Sequence, residues 1–308
     1  MVTRSLPPLA LIAGPTASGK SALALALAEA SGGVIVNADS AQLYRDLPIL
    51  SAAPSPADRD RADHRLYGVR DGADPCSAAE WADLARREIA SIHAAGRLPI
   101  LVGGTGLYLR TLLDGIAPVP PIDPKVRAAV RAASVAENLA ALSPLDPDAA
   151  ERLNPGDSTR IARALEVVRS SGRTLAEWQE QRSGGIGDAV ALTPLVLLPP
   201  REWLVERCDR RFAAMVDEGA LGEVETLLER GLDPALPVMR AIGVRELGAL
   251  INRTATSHEA IAGGQLATRR YAKRQYTWFT NQPPPDWPRW TDAFDDPAPA
   301  LALFDAAR

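Results

Sequence analysis

Gly14-Pro15-Thr16-Ala17-Ser18-Gly19-Lys20-Ser21 lies between an apolar run, Leu9–Ala13, and an alanine- and leucine-rich segment, Ala22–Ala30. Strand, glycine loop, helix is the context that turns the pattern G-x-x-x-x-G-K-[ST] into a phosphate site. Gly14 and Gly19 let the backbone wrap so that its N–H groups point inward at an anion. The helix that follows adds its positive N-terminal end. Lys20 supplies a mobile point charge, and the Ser21 hydroxyl is a ligand for Mg²⁺. The alternative is a glycine turn that matches by chance, and the flanking strand and helix argue against it. The motif therefore assigns a di- or triphosphate to the chain, without naming the molecule or its reaction.

The bulk composition narrows the class. A chain of 308 residues has room for one large domain or two, and buries most of its unfolded surface without staples. Two cysteines, Cys76 and Cys208, make neither a disulfide framework nor a metal cluster, and are expected as small buried hydrophobes in a reducing cytoplasm. No apolar stretch approaches the ~20 residues of a membrane span, so no membrane association is expected. Met1–Ala13 leads straight into the phosphate loop and reads as a core strand rather than a signal peptide. A net charge of −4 argues against wholesale nucleic-acid binding but not against a local basic face.

Along the chain, Val34–Val36 is a short β-branched strand ending at Asn37-Ala38-Asp39-Ser40. Ligands of open parallel sheets sit at the carboxyl ends of strands, which places Asp39 near the phosphate loop. Leu47–Asp63 reads as a charged, proline-containing loop with a helical turn. Ser77-Ala78-Ala79-Glu80 is a capping box opening a helix that Gly96 closes. Leu98–Val102 is the next buried strand and runs into Gly103-Gly104-Thr105-Gly106-Leu107-Tyr108.

After Pro118-Val119-Pro120-Pro121, a stiff connector, Asp123 to about Arg182 reads as helices without a strand. Asp123-Pro124 starts a helix, Asp157 caps another that Gly172 stops, and Thr174-Leu175-Ala176-Glu177 is a capping box. Leu195–Leu198 reads as a returning strand. Helices follow at about 201–217, 221–230, 244–251 and 258–279, the last opened by the capping box Thr256-Ser257-His258-Glu259. The proline-rich tail from Pro283 is expected to wrap the surface. The fold class expected is α/β: a P-loop NTPase-like parallel sheet with flanking helices and an all-helical insertion. The core takes residues 1–117 and 191–308, and the insertion takes 118–190.

Three constellations carry chemistry. Common P-loop ATPases hold Mg²⁺ with an acid at the end of a second buried strand, yet Leu98–Val102 ends in Gly-Gly-Thr-Gly, which argues against a motor or switch NTPase. Thr105 there is either a neutral hydroxyl donor or a helix N-cap. Asp39, the only acid in its turn, reads as a general base, a Mg²⁺ partner or a turn residue. Thr268–Gln275 places Arg270, Lys273 and Arg274 on one helix flank. Such a run is either a solvated face or, with Arg240, Arg245, Tyr271, Tyr276 and Trp278 nearby in sequence, a surface for phosphates and unpaired bases.

Taken together, these residues resemble a known family. The phosphate loop is followed in order by Asn37-Ala38-Asp39-Ser40-Ala41-Gln42-Leu43-Tyr44-Arg45, Gly103–Tyr108, Asn154–Val167, Ala241-Ile242-Gly243 and Lys273-Arg274-Gln275-x-Thr277-Trp278. The order is similar to that of the bacterial tRNA dimethylallyltransferases, over about residues 9–279. The resemblance implies transfer of a dimethylallyl group from dimethylallyl diphosphate to N6 of the adenosine 3′ of the tRNA anticodon. It implies a diphosphate held by Gly14, Pro15, Thr16, Ala17, Ser18, Gly19, Lys20, Ser21 and Arg211, with Mg²⁺ on Ser21. Arg207 and Arg210 are alternatives to Arg211. Thr105 would hydrogen-bond the bridging oxygen, and Asp39 would be the general base. The implied tRNA contacts are Asp39, Ser40, Ala41 and Gln42, then Arg127, then Thr159, Arg160, Ile161, Ala162 and Arg163. Arg240, Arg245, Arg269, Arg270, Lys273, Arg274 and Gln275 complete them. The insertion would clamp the anticodon stem-loop, and a cytoplasmic monomer is expected.

The chain departs from the family after Arg45. Where relatives commonly read Gly-Met-Asp-Ile-Gly-Thr-Ala-Lys-Pro, this sequence has Asp46-Leu47-Pro48-Ile49-Leu50-Ser51-Ala52-Ala53-Pro54, and Thr159 stands where a glutamine is common. Three rival readings remain at this stage. They are an isopentenyltransferase acting on free adenylates, a small-molecule kinase that turns over ATP, and an RNA-binding protein with a vestigial phosphate site.

Overall fold

The computed structural model of the chain describes residues 5–307. Residues 1–4 of the Met1–Ala13 stretch lie outside the described residues. The chain begins β1 (Pro8–Ala13), α1 (Lys20–Ser31), β2 (Val34–Asn37), α2 (Pro56–Arg61), β3 (Asp63–Arg65), α3 (Ala78–Ala94), β4 (Pro99–Gly103) and α4 (Gly106–Asp114). Five helices follow: α5 (Pro124–Ala132), α6 (Val135–Leu142), α7 (Pro147–Arg152), α8 (Ser158–Ser171) and α9 (Leu175–Gln179). The chain then runs through β5 (Ala191–Leu197), α10 (Arg201–Met215), α11 (Leu221–Glu229), α12 (Val244–Ile251), α13 (Ser257–Asn281), β6 (Arg289–Trp290) and α14 (Ala298–Leu301).

The strands form one parallel sheet in the order β3-β2-β4-β1-β5-β6. Central β1 is buried from Leu9 to Ala13, as a strand covered on both faces must be. Ala13 pairs with Gly103 and with Val196, and Asn37 with Val102, so the strands end together at one edge. The loops that carry the motifs leave from that edge. Ala10 and Ile12 of β1 meet Leu23 and Leu27 of α1 in the main core. Trp81 of α3 is fully buried, stacks on Tyr108 at 4.4 Å and donates its Nε1–H to the Asn37 carbonyl.

The chain divides into two compact units, one holding residues up to Leu112 and from Ile186 onward, the other Leu113–Gly185. The second unit is helical. Its core joins Val130, Leu142, Ile161, Leu165 and Val168, and an antiparallel bridge between Ile116 and Ser183 ties its two ends. The unit begins and ends about five residues upstream of 118 and 190: Ile116 pairs with Ser183 inside it, and the Ile186 N–H already bonds the Leu112 carbonyl within the other unit.

Several expectations need correction. The tail does not merely wrap the surface: β6 adds an edge strand beside β5, and Phe294 and Phe304 are buried in the main core with α1. Proline content reads as a solvated linker, but two phenylalanines bury enough apolar area to anchor the segment. Within 47–63, a capping box of Ser55 and Asp58 starts α2, and the exposed Asp63-His64-Arg65 is an edge strand. Its charges hid it from a hydrophobic pattern and suit an edge. β5 begins at Ala191, four residues before the apolar run. Cys208 is fully buried, but Cys76 is only partly so.

Candidate active site

The phosphate loop adopts the wrapped form its glycines permit. Gly14 and Gly19 sit at φ 148° and 97°, and a side chain at Gly19 would strike the Phe294 ring. Gly19 opens α1 without a side-chain cap, so first-turn N–H groups are left for an anion. Ser18 is fully buried and its hydroxyl finds no partner among the described residues. Lys20 turns its ammonium back onto the Pro15 carbonyl at 2.6 Å. Burial lowers Lys20 to about 8, against the opposing pull of the Asp39 carboxylate.

A cavity of about 490 Å³ opens over this loop, lined by Thr16–Ser21, Asp39, Gln42, Ser51, Ala52, Tyr67, Arg207, Arg210 and Arg211. α10 supplies the three arginines, Arg207 one turn before the adjacent Arg210 and Arg211. Arg211 hydrogen-bonds the Thr16 hydroxyl, and burial depresses its guanidinium below the usual range. Arg207 donates to the Ala17 carbonyl at 3.1 Å and lies over the Trp203 ring, while Arg210 stays exposed on the rim. The Asp39 turn is held from both sides: its N–H donates to Asn37 Oδ1 at 2.7 Å, and its Oδ1 accepts from the Ala41 N–H at 3.0 Å. Asp39 is thus both a turn residue and a wall of the cavity. A smaller recess of about 70 Å³ adjoins it, lined by Asp39, Arg211, Leu50, Phe212, Met215, Ile242 and Tyr271 among others.

Thr105 lies apart from the residues lining the main cavity. Its hydroxyl accepts from the Ser40 N–H at 3.0 Å and donates to the Ser40 hydroxyl at 3.3 Å, and its carbonyl starts α4. It braces the turn that carries Asp39. The glycines around it are required by close approach: a Cβ on Gly103 would lie 2.1 Å from the Ala38 carbonyl, and one on Gly106 would meet the Trp278 ring. Gln275, expected as an RNA contact, is buried instead. It accepts from the Thr16 N–H and donates to the Gly104 carbonyl, both at 2.8 Å, and so clips the phosphate loop to the Gly-Gly-Thr-Gly loop.

The predicted RNA-contacting residues fall into two groups. On α13, Arg270, Lys273 and Arg274 are exposed, whereas Arg269 is held by Asp209 at 2.6 and 2.7 Å. Arg270 and Lys273 border a groove with Arg201, Leu204, Val205 and Tyr276, and Arg274 lies over the Tyr271 ring. Arg240 and Arg245 are also exposed. In the helical unit, Arg127, Thr159 and Arg160 are exposed, and Arg160 pairs with Asp157. Arg163 is half-buried and lowered by that burial. Ile161 and Ala162 belong to that unit's core, so their side chains make no surface for RNA. Ser40, Ala41 and Gln42 form the short turn after β2, where Gln42 donates to the Ser51 and Ala52 carbonyls at 3.0 and 2.6 Å.

The model of the IPP transferase family matches residues 42–282. The chain belongs to that family. It is 64% identical over 282 residues to the tRNA dimethylallyltransferase of Sphingopyxis alaskensis, covering 91% of this chain and 92% of the relative. It is 61% identical to that of Erythrobacter litoralis, covering 94% and 92%. Among solved structures, the tRNA isopentenylpyrophosphate transferase of Bacillus halodurans superposes with TM-score 0.70 at 30% identity, over 97% of this chain and 96% of that one. A eukaryotic dimethylallyltransferase solved while acting on tRNA gives TM-score 0.80 at 27% identity, over 98% and 76%. The family match starts after the phosphate loop, so it is independent of that widely shared motif.

The lowered Lys20 has a measurable consequence. Its ammonium deprotonates as pH rises through about 8, and a neutral amine attracts no anion. The affinity for inorganic diphosphate is expected to fall above that pH, approaching tenfold per unit, in calorimetric titrations. Lys20→Met should bind more weakly and remove that dependence. The stability sign is the opposite: between about 8 and the ordinary 10.5 the unfolded chain binds the extra proton, so this group's contribution to stability rises with pH.

Proposed function

We infer that the chain is a tRNA dimethylallyltransferase that alkylates N6 of the adenosine 3′ of the anticodon, with dimethylallyl diphosphate as donor. The observation that carries this reading is one cavity, at the carboxyl edge of the sheet, that unites Lys20, Arg211 and Asp39 in a chain 64% identical to a protein of that name. Ionising an allylic C–O bond needs charge neutralised on the departing diphosphate. Lys20, Arg211 and the uncapped first turn of α1 supply that by preorganised electrostatics. As N6 bonds to the allylic carbon and the carbon–oxygen bond breaks, the amine proton goes to Asp39. Positioning matters as much as basicity, because the exocyclic amine is a poor nucleophile.

The site fits Mg²⁺ bound mainly through its substrate. The Ser21 hydroxyl lies exposed on the cavity, and no cluster of His, Cys, Asp or Glu among the described residues would hold a metal by itself. When bound, the ion adds charge neutralisation to the diphosphate. No helix among the described residues is long and apolar enough to cross a membrane.

The target base must leave its stack to reach such a cavity, and exposed Arg270, Lys273 and Arg274 suit the surrounding phosphates. Arg270→Glu with Arg274→Glu is expected to weaken tRNA binding at least tenfold at 0.1 M salt. The slope of log K against log salt should drop by about two. Binding that stays put would mark this flank as merely solvated.

The direct test incubates the protein with Mg²⁺, labelled dimethylallyl diphosphate and unmodified tRNA, with AMP and ATP in parallel. Label on tRNA is the expected result. Label on AMP would make it a free-nucleotide enzyme, and ATP consumption without alkyl transfer would make it a kinase.

A further inference from the structure

Glu223 on α11 belongs to none of the motifs, yet it reaches the segment that departs from the family pattern. Its Oε1 accepts from the Ile49 N–H at 2.7 Å and its Oε2 from the Leu50 N–H at 3.0 Å. It is half-buried, and burial raises its carboxyl above the usual range despite both hydrogen bonds. One carboxylate therefore holds two successive backbone donors. The other side of the same turn is held by Gln42, which donates to the Ser51 and Ala52 carbonyls. At the end of this turn Ala52 takes φ 56°, and the turn closes through the Ala52 N–H to the Ile49 carbonyl and the Ala53 N–H to the Pro48 carbonyl, both at 2.9 Å.

Three of the four anchored residues face the reaction space. Ser51 and Ala52 line the main cavity, and Leu50, 8% exposed, lines the small recess beside Asp39 and Arg211. Phe212, Met215 and Ile242 make an apolar wall with Leu50, and Thr16, Ser51, Thr268 and Tyr271 also line it. At about 70 Å³ the recess is small beside the main cavity of about 490 Å³, and the Leu50 side chain in its wall limits the size of alkyl group it admits.

We propose that Glu223 is a positioning residue: by holding the Ile49 and Leu50 N–H groups it sets Leu50 in the recess and so selects a five-carbon allyl group in the donor. This rests on the transferase reading above. Glu223 lines neither cavity. It acts through Leu50, whose backbone it fixes and whose side chain closes the recess. Without that carboxylate two N–H groups lose their acceptor, the turn loosens and the recess widens.

The test compares full-length wild type with Glu223→Gln and Leu50→Ala, using dimethylallyl and geranyl diphosphate with the same tRNA. Gln keeps one acceptor oxygen but turns an NH₂ donor toward the second N–H, so one hydrogen bond is lost. In Glu223→Gln, kcat/KM for dimethylallyl diphosphate should fall about tenfold, mainly through KM. The geranyl value should fall less, so selectivity drops at least fivefold. tRNA affinity should hold, which reports an intact fold. Leu50→Ala should shift selectivity the same way, and the double variant should not exceed the larger single effect. Amide hydrogen exchange at Ile49 and Leu50 should accelerate in Glu223→Gln whether or not transfer is measured. Unchanged exchange, or selectivity unmoved in either single variant, overturns the proposal. A wild type that transfers from neither donor would instead overturn the transferase reading, while exchange still decides whether Glu223 anchors the turn.

Discussion

Asp39→Asn is expected to lower dimethylallyl transfer about 10³-fold, within the range that removal of a general base produces, while tRNA affinity stays within twofold. Asn is the informative replacement because it preserves the turn. Its side-chain oxygen can still accept from the Ala41 N–H, and the backbone bond to Asn37 is untouched. What disappears is the carboxylate charge and its capacity to take the N6 proton. That charge also opposes the effect of burial on Lys20. The variant should therefore bind diphosphate more weakly at pH 8 than at pH 6.5, by more than the wild type does. Single-turnover rates with saturating donor separate the two effects. A rate within threefold of wild type would remove Asp39 as the base.

Gln275→Ala is expected to cost about 3 kcal/mol of stability, since a buried donor and a buried acceptor each lose a partner at ~1–3 kcal/mol apiece. The groups exposed by the change are the Thr16 N–H and the Gly104 carbonyl, which lie on the two loops that the side chain joins. The phosphate loop should then lose its fixed shape, and donor KM should rise about tenfold. Chemical denaturation reads the first effect and steady-state kinetics the second. Affinity for tRNA should change less than twofold, because the Gln275 side chain is buried and its polar atoms are taken up by the two loops. Loss of tRNA affinity with unchanged stability would restore the reading of Gln275 as an RNA contact.

Local signals were legible wherever chemistry alone sets the backbone. The boxes at Ser77, Thr174 and Thr256 start helices as read, and Gly172 ends α8 in a left-handed conformation. Elements that owe their existence to a neighbour were not legible. β3 has no apolar pattern and forms because Val34–Val36 offers it a partner. β6 lies in a proline-rich tail and forms because the edge of β5 is open there. Arginines show the same limit: composition marks a basic stripe on α13, but only the fold shows that Asp209 holds Arg269 and leaves Arg270, Lys273 and Arg274 exposed.

By itself the sequence determined the phosphate loop, the order of the core strands along the chain and the family resemblance. The loop and the strands depend on residues a few positions apart, whose backbone preferences and side-chain types act locally, and the resemblance on the order in which such local motifs follow one another. Only the tertiary structure decided which residues share a cavity and which are consumed in holding it together. Thr105 braces the Asp39 turn, Gln275 clips two loops, Ile161 fills a core, and Glu223 anchors a segment more than 170 positions away. Such contacts form between groups with no common sequence neighbourhood. Their partners are set by the register of a parallel sheet and the packing of helices on it, which no local pattern encodes.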